Sequence, residues 1–431
     1  MGQFLSCDLL HSGLHFGDFH EVRLCCHLPG KTVISEDFRR DGINAEAIRC
    51  LRTRLESDLN SGRPTQCDGC GYLYRREWPN SGYLVDKVAL SVSTGCNINC
   101  GYCTQTGMRK GTSAACDEYD FERMFSELLR PGVLNPAGHV VVSSGEPFLI
   151  PGLIRLLEDV LEKTELTIWP AGLERLIGTG RVQICFSLDA GCRETYRLVK
   201  RRDCFDAVME NMRRILAIDP WKLLVKYVCI TDNATASERE RFLSLVDDYG
   251  VKSIIISTDV TDGITPERSA FLGEFKYFAD MGGCVAYVQY ASFDLFFAGM
   301  SHRENIERAY RGKLAEKYSY LDDISLPMPD AGRIETLEKD NEGGLQVGGW
   351  VYDRELKRCP ERLVFSFEDM PVIGGRCKYI RSGLGNGDEM AGFGMLSGDR
   401  KLAAAVMGNP ERCALHALFG DGTWLRIPAV R

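Results

Sequence analysis

The chain has 431 residues, 44% of them hydrophobic and 26% charged, which suits two or three domains with buried cores and excludes a disordered tail or a disulfide-stapled miniprotein. Its 52 basic and 60 acidic residues give a formal charge of −8, which argues against nucleic acid as a partner. Its 18 cysteines, several at short fixed spacings, point to metal.

The opening stretch, MGQFLSCDLLHSGLHFGDFH, lacks a basic segment followed by an apolar run, so no secretory signal is read and a reducing cytoplasm is expected. Met1 to Ser6 fits the myristoylation pattern, one short enough to recur by chance. No apolar run reaches the roughly 18 residues that span a bilayer. The nearest, Val285 to Met300, is interrupted by Gln289 and Asp294.

Residues 1–86 carry six cysteines and Gly and Pro punctuation at Gly30, Gly62, Pro64, Gly69, Gly71 and Pro79, and read as a separate small domain with a helix from Asn44 to Leu59. From Lys87 onward short β-branched runs alternate with amphipathic stretches, the pattern of βα units around a parallel sheet. Strands are expected at Lys87–Ser93, Val140–Ser143, Leu166–Trp169, Val182–Leu188, Leu223–Ile230 and Ser253–Ser257. The helices between them present Phe121, Met124, Phe125, Leu128 and Leu129, then Phe205, Val208, Met209, Met212, Ile215 and Leu216, then Phe242, Leu245, Val246 and Tyr249. The fold class is α/β, a partial (β/α)6 barrel over residues 87–302. Residues 303–344 read as a charged surface helix and linker, and residues 345–431 as a small β-rich module.

The first barrel strand runs into Thr94-Gly95-Cys96-Asn97-Ile98-Asn99-Cys100-Gly101-Tyr102-Cys103, a C-x3-C-x2-C loop. Three thiolates on a cubic iron-sulfur cluster leave one iron without a protein ligand, open to a small molecule. The loop follows the C-terminal end of a parallel strand, where barrel folds place their active sites. After the second strand comes Ser144-Gly145-Glu146-Pro147, and the fourth ends in Phe186-Ser187-Leu188-Asp189-Ala190-Gly191, followed by Glu194, Thr195 and Tyr196. With these elements residues 87–300 resemble the radical S-adenosylmethionine (radical SAM) superfamily, Ser144 standing where the family's Gly-Gly-Glu-Pro element has its first glycine.

The resemblance implies that Cys96, Cys100 and Cys103 hold a 4Fe–4S cluster whose open iron binds S-adenosylmethionine (SAM). It places Tyr102 by the adenine, Gly145 and Glu146 by the SAM amino group, Ser187 and Asp189 by the ribose, and Asn233 at a further SAM contact. One of Arg197, Lys200 and Arg201 would pair with the SAM carboxylate. Period-2 alternation would put Gln183, Cys185, Ser187 and Asp189 on one lumen-facing side. A one-electron donor such as flavodoxin or ferredoxin is implied as a partner. The cofactor performs the chemistry, and the protein binds, orients and excludes quenchers.

Cys7, the doublet Cys25-Cys26 and the pair Cys67 and Cys70 form an order that resembles a SPASM-type auxiliary cluster domain, here ahead of the barrel instead of behind it. Cys7, Cys25, Cys67 and Cys70 are assigned to a second 4Fe–4S cluster, with Cys26 the alternative to Cys25 and a zinc ribbon the competing reading. Cys50, Cys116, Cys204, Cys284, Cys359, Cys377 and Cys413 read as packing residues, and His11, His15, His20 and His27 as surface or hairpin residues. Cys185 and Cys229 on the expected barrel strands read first as core residues, with hydrogen-atom donation the alternative for either one that faces the lumen. The C-terminal module resembles β-sandwich modules of glycan-modifying enzymes, with Trp350 and Tyr352 read first as core aromatics and alternatively as sugar-stacking rings. The resulting expectation is oxidation or epimerisation of a small-molecule, carbohydrate-derived substrate. Maturation of a ribosomal peptide and a non-catalytic iron-sulfur carrier are the alternatives.

Overall fold

The computed structural model describes residues 3–17, 20–25, 32–70, 72–78, 80–91, 100, 102, 120–142, 173–178, 180, 183–259, 263–290, 302–321, 325–328, 331–340, 343–353, 357–382 and 388–429. The chain divides into two compact units, Met1–Ile184 with Lys200–Lys222, and Cys185–Val199 with Leu223–Arg431.

The first unit opens with β1 (Phe4–Ser6), α1 (Asp8–Ser12), β2 (Gly13–Phe16), β3 (Val22–Arg23) and β4 (Val33–Ser35). Next come α2 (Phe38–Asp41), α3 (Ala45–Asn60), β5 (Tyr74–Arg76), β6 (Val85–Leu90), α4 (Phe121–Leu128), β7 (Leu134–Val142) and α5 (Leu173–Gly178). Asn44 starts α3 by accepting the Ala47 N–H on its side-chain oxygen at 3.0 Å, satisfying a donor the helix cannot satisfy itself. The helix turns Ile48, Leu55 and Leu59 inward, together with Arg52, whose guanidinium donates to the carbonyls of Leu84 at 2.5 Å and Gly13 at 2.6 Å. One buried side chain thus pins α3 to the starts of two strands.

Those strands share a sheet of order β4-β3-β2-β6-β7. β2 lies parallel to β6, Gly13 opposite Lys87 and Phe16 opposite Leu90, and β6 lies parallel to β7, Val88 opposite Val140. The first expected barrel strand is therefore β6, and the second lies within β7. The expected boundary at residue 86 falls inside β6, and residues 13–35 extend the same sheet, so the N-terminal segment is not a separate layer. The strand expected at Leu166–Trp169 lies outside the described residues.

The second unit contains β8 (Ile184–Ser187), α6 (Arg193–Lys200), β9 (Leu223–Cys229), α8 (Ala236–Asp248), β10 (Ser253–Thr258), α9 (Pro266–Gly282) and β11 (Val285–Val288). The intervening α7 (Phe205–Ile218) belongs with the first unit and buries Met209, Met212 and Ile215 as expected. The sheet order is β11-β10-β9-β8, and β9, β10 and β11 are parallel, with Ile255 opposite both Lys226 and Tyr287. The apolar stretch after Val285 supplies β11, an additional parallel strand. Tyr227, Phe242 and Phe275 meet edge to face at 4.8, 4.9 and 5.7 Å between β9, α8 and α9.

The chain continues through α10 (His302–Tyr318), β12 (Leu326–Pro327), β13 (Gly332–Lys339), β14 (Leu345–Val351), β15 (Arg362–Phe367) and β16 (Met370–Gly375). It ends with β17 (Tyr379–Ser382), β18 (Asp388–Ser397), α11 (Arg400–Gly408), β19 (Cys413–Leu418) and β20 (Trp424–Pro428). Two sheets, β12-β20-β19-β15-β16 and β13-β14-β18-β17, close on a core that includes Leu345, Val347, Leu363, Phe365, Phe393, Leu415 and Ile427. The β-rich module thus begins before residue 345, because the expected linker residues 332–339 pair antiparallel with β14. The expected surface helix is α10, and it buries Ile306, Glu307, Tyr310, Leu314 and Tyr318.

Candidate active site

Within the first unit β6 delivers the chain to Ser91, whose N–H donates to the Phe16 carbonyl at 2.9 Å. Of the three expected cluster ligands Cys100 is described and half-buried, while Cys96 and Cys103 lie outside the described residues, as do Gly145 and Glu146. Tyr102, between Cys100 and Cys103, accepts a hydrogen bond from Lys200 Nζ at 2.8 Å, and the ammonium stands 5.3 Å from its ring centre. Of the three basic residues named for the SAM carboxylate, Lys200 is the buried one and reaches the cluster loop, whereas the Arg197 and Arg201 side chains are exposed. Lys200 thus sets a cation beside Tyr102, chemistry that suits an anionic ligand.

Of the four cysteines assigned to the auxiliary cluster, Cys7 precedes α1, Cys25 follows β3, and Cys67 and Cys70 follow α3. Cys7 is the N-cap of α1, and its sulfur accepts the Leu10 N–H at 3.3 Å. β3 runs antiparallel to β2 and returns the chain to Cys25, whose N–H donates to Thr32 Oγ1 at 3.3 Å. After α3 a turn closes with the Cys70 N–H on the Cys67 carbonyl at 3.0 Å. Burial pushes the Cys7 thiol up to about 12, against the Leu10 hydrogen bond and with the help of Cys25, Cys70 and Cys67. Burial likewise raises Cys67, to about 11, with Cys70 and Cys25 adding to it. Cys7 and Cys67 thus resist ionisation unless a metal compensates the charge. Among the described residues no three His, Cys, Asp or Glu side chains close to the spacing of a single metal ion. Cys26 lies outside the described residues.

Beside Cys7, Asp8 accepts from Arg76 at 2.7 Å and from Lys87 at 2.5 Å. Arg76 stacks 4.0 Å over Trp78, whose indole donates to the Phe4 carbonyl at 3.0 Å. Sequence reading did not select Asp8 or Lys87, because nothing in their spacing marks a pair 79 residues apart.

In the second unit β8 ends at Ser187. Gln183, Cys185 and Ser187 are exposed on one side as the alternation requires, but Asp189 is fully buried. The strand has stopped, and Asp189 adopts φ 57°, so its carboxylate turns inward and accepts the Val228 N–H at 2.7 Å. Asn233 is also fully buried. Its oxygen accepts from Ile230 N–H at 2.8 Å, and its nitrogen donates to the carbonyls of Asp189 and Val228, both at 2.9 Å. Both side chains thus hold the turn after β8 from within, and Ser187 is the member of the set presented outward. Cys229 is fully buried, which withdraws it as a hydrogen-atom donor, whereas Cys185 is exposed. His15 and His20 are buried and lie within the β2–β3 hairpin, so the hairpin half of their reading holds and the surface half does not, and Cys50 is exposed on α3 and not a packing residue. Tyr352, with 1% of its surface exposed, is a core residue, and Trp350 is half-buried.

Parallel strands joined through helices define an α/β protein. Residues 90–246 match the model of the Radical SAM superfamily. GTP 3',8-cyclase of Chlorobaculum tepidum is 28% identical over 145 residues, covering 32% of this chain and 42% of that protein. The probable GTP 3',8-cyclase of Methanothermobacter thermautotrophicus is 28% identical over 154 residues, covering 33% and 48%. The chain thus spans about half the length of these curated relatives. Among solved structures, native anSMEcpe with bound AdoMet superposes at a TM-score of 0.38 and 13% identity over 60% of this chain and 72% of that one. Streptococcus suis SuiB bound to precursor peptide SuiA gives 0.37 and 12% over 59% and 56%. The family implies a 4Fe–4S cluster and SAM. Among the described residues no helix is long and apolar enough to cross a membrane.

Proposed function

We propose that the chain is a radical SAM enzyme in which Cys96, Cys100 and Cys103 hold the SAM-binding cluster, and Cys7, Cys25, Cys67 and Cys70 hold a second 4Fe–4S cluster. When bound, the first cluster with SAM supplies a 5'-deoxyadenosyl radical that removes hydrogen from a substrate carbon, and the second takes up an electron, for net two-electron oxidation. The chain's own part is positional. Lys200 offers its ammonium to the SAM carboxylate, Tyr102 borders the adenine, Gly145 and Glu146 meet the SAM amino group, and Ser187 meets the ribose. Asp189 and Asn233 act from behind Ser187.

What supports the second cluster is that Cys25, Cys67 and Cys70 all act electrostatically on Cys7, and Cys25 and Cys70 on Cys67, although these thiols come from distant sequence positions. A single zinc ion would draw its sulfurs to about 3.8 Å of one another, whereas a cube spreads four thiolates over four irons. The substrate is taken as a small organic molecule. With Tyr352 in the core, a carbohydrate reading keeps only Trp350 as a stacking ring. The fourteen described cysteines are free thiols, which supports a reducing, cytoplasmic setting with a flavodoxin- or ferredoxin-like donor.

The test is iron and acid-labile sulfide per chain after anaerobic reconstitution, followed by SAM and a strong reductant. About eight irons and release of 5'-deoxyadenosine are expected. About four irons with zinc retained would overturn the second cluster, and no 5'-deoxyadenosine would leave a non-catalytic carrier.

A further inference from the structure

Thr235-Ala236-Ser237-Glu238 opens α8 with the pattern of a capping box, in which the glutamate normally reaches back to the N–H of its own cap residue. Thr235 Oγ1 does accept the Glu238 N–H at 3.2 Å. The reciprocal bond is missing, because the Thr235 N–H is already donated to the Asn233 carbonyl at 2.9 Å. The Glu238 carboxylate, 3% exposed, turns to the neighbouring segment instead. Oε1 accepts the Gly191 N–H at 2.5 Å, and Oε2 accepts the Thr195 hydroxyl at 2.9 Å. A negative charge is thereby placed at the start of α6, where the helix's free N–H groups favour it. Gly191 is pressed so closely onto α8 that a Cβ there would stand 2.2 Å from the Phe242 nitrogen.

We infer that Glu238 is a positioning residue for SAM. It fixes the turn Leu188–Gly191 from the side of α8, as Asp189 and Asn233 fix it from β9, and so holds Ser187 in its ribose-facing place. A subsite of this kind depends on support that locks its members before the ligand arrives. The inference rests on the proposed SAM role of Ser187.

The experiment compares wild type, Glu238→Gln and Glu238→Ala, each reconstituted anaerobically to the same iron content, by equilibrium binding of SAM and by hydrogen exchange across residues 188–196. Gln keeps an acceptor for Gly191 and a partner for Thr195, so its SAM affinity should stay within about threefold of wild type. Ala should bind at least about tenfold more weakly, with faster exchange at Gly191. If Glu238→Ala does not take up iron, Thr195→Val, which removes only the Oε2 bond, must weaken SAM binding by about threefold. An Ala variant within twofold of wild type, a Gln variant as weak as Ala, or an unchanged Thr195→Val variant overturns the inference. A wild-type protein that binds no SAM overturns instead the reading beneath it.

Discussion

Lys87 Nζ donates to Asp8 Oδ2 at 2.5 Å, so the strand that leads into the Cys96–Cys103 loop is ion-paired to the residue beside Cys7. Burial pushes the Asp8 carboxyl up, but the Lys87 hydrogen bond and charge, with Arg76, outweigh it and hold the group below its usual value. A folded-state value below the unfolded one stabilises above the unfolded value of about 3.9 and loses that contribution as the pH falls through the folded one. Lys87→Met should therefore lower stability by about 1 kcal/mol at pH 7. The gap should hold down to about pH 4 and shrink below it. Urea unfolding of both proteins between pH 7 and pH 2 measures this, and a gap constant to pH 2 would contradict it.

Cys67 and Cys70 enter the thiol quartet from one turn, so replacing both by Ser removes half of it. Reconstituted Cys67→Ser/Cys70→Ser protein should hold about four irons where the wild type holds about eight. It should still release 5'-deoxyadenosine from SAM under strong reductant. Loss of all iron in this variant would show that the two centres do not assemble independently.

Gly191 leaves no room for a methyl group, since the nearest atom belongs to the α8 backbone and cannot swing aside. Gly191→Ala should cost about 3 kcal/mol or more by overpacking. Gly408, whose Cβ would meet nothing within 4 Å, serves as the control. Gly408→Ala should change stability by less than about 0.5 kcal/mol. Equal effects at both positions, read by thermal unfolding, would refute the close approach.

Glu307 is fully buried on α10 and accepts from Tyr290 at 2.5 Å, Ser397 at 2.7 Å and Gly398 N–H at 2.8 Å. Arg303 on the same helix donates to the Gly398 carbonyl at 2.9 Å. Glu307→Leu leaves three buried donors without this acceptor and should cost about 3–5 kcal/mol. Glu307→Gln keeps one acceptor oxygen and should cost less. Denaturant midpoints of the two variants decide the order.

Much of this protein was legible as a string of residues. The alternation of β-branched runs and helical faces marked β6, β9 and β10, because strands buried on both sides need continuous apolar runs. Asn44 marked the start of α3. Other features had no local signal. The four residues of β2 carry no period long enough to distinguish a strand beside β6 from a loop, and the bulge between Ile334 and Thr336 broke the alternation of β13. In α10 the buried Arg303 and Glu307 hid the Ile306, Tyr310 and Leu314 stripe among charges. Whether Asp189 faced ligand or core depended on the strand ending two residues earlier, and the direction of Glu238 depended on Asn233 having already taken the cap N–H. Spacing along the chain determined which residue types were available for chemistry. Competition for hydrogen-bond partners, which exists only once distant segments meet, decided which of them face outward and which hold the others in place.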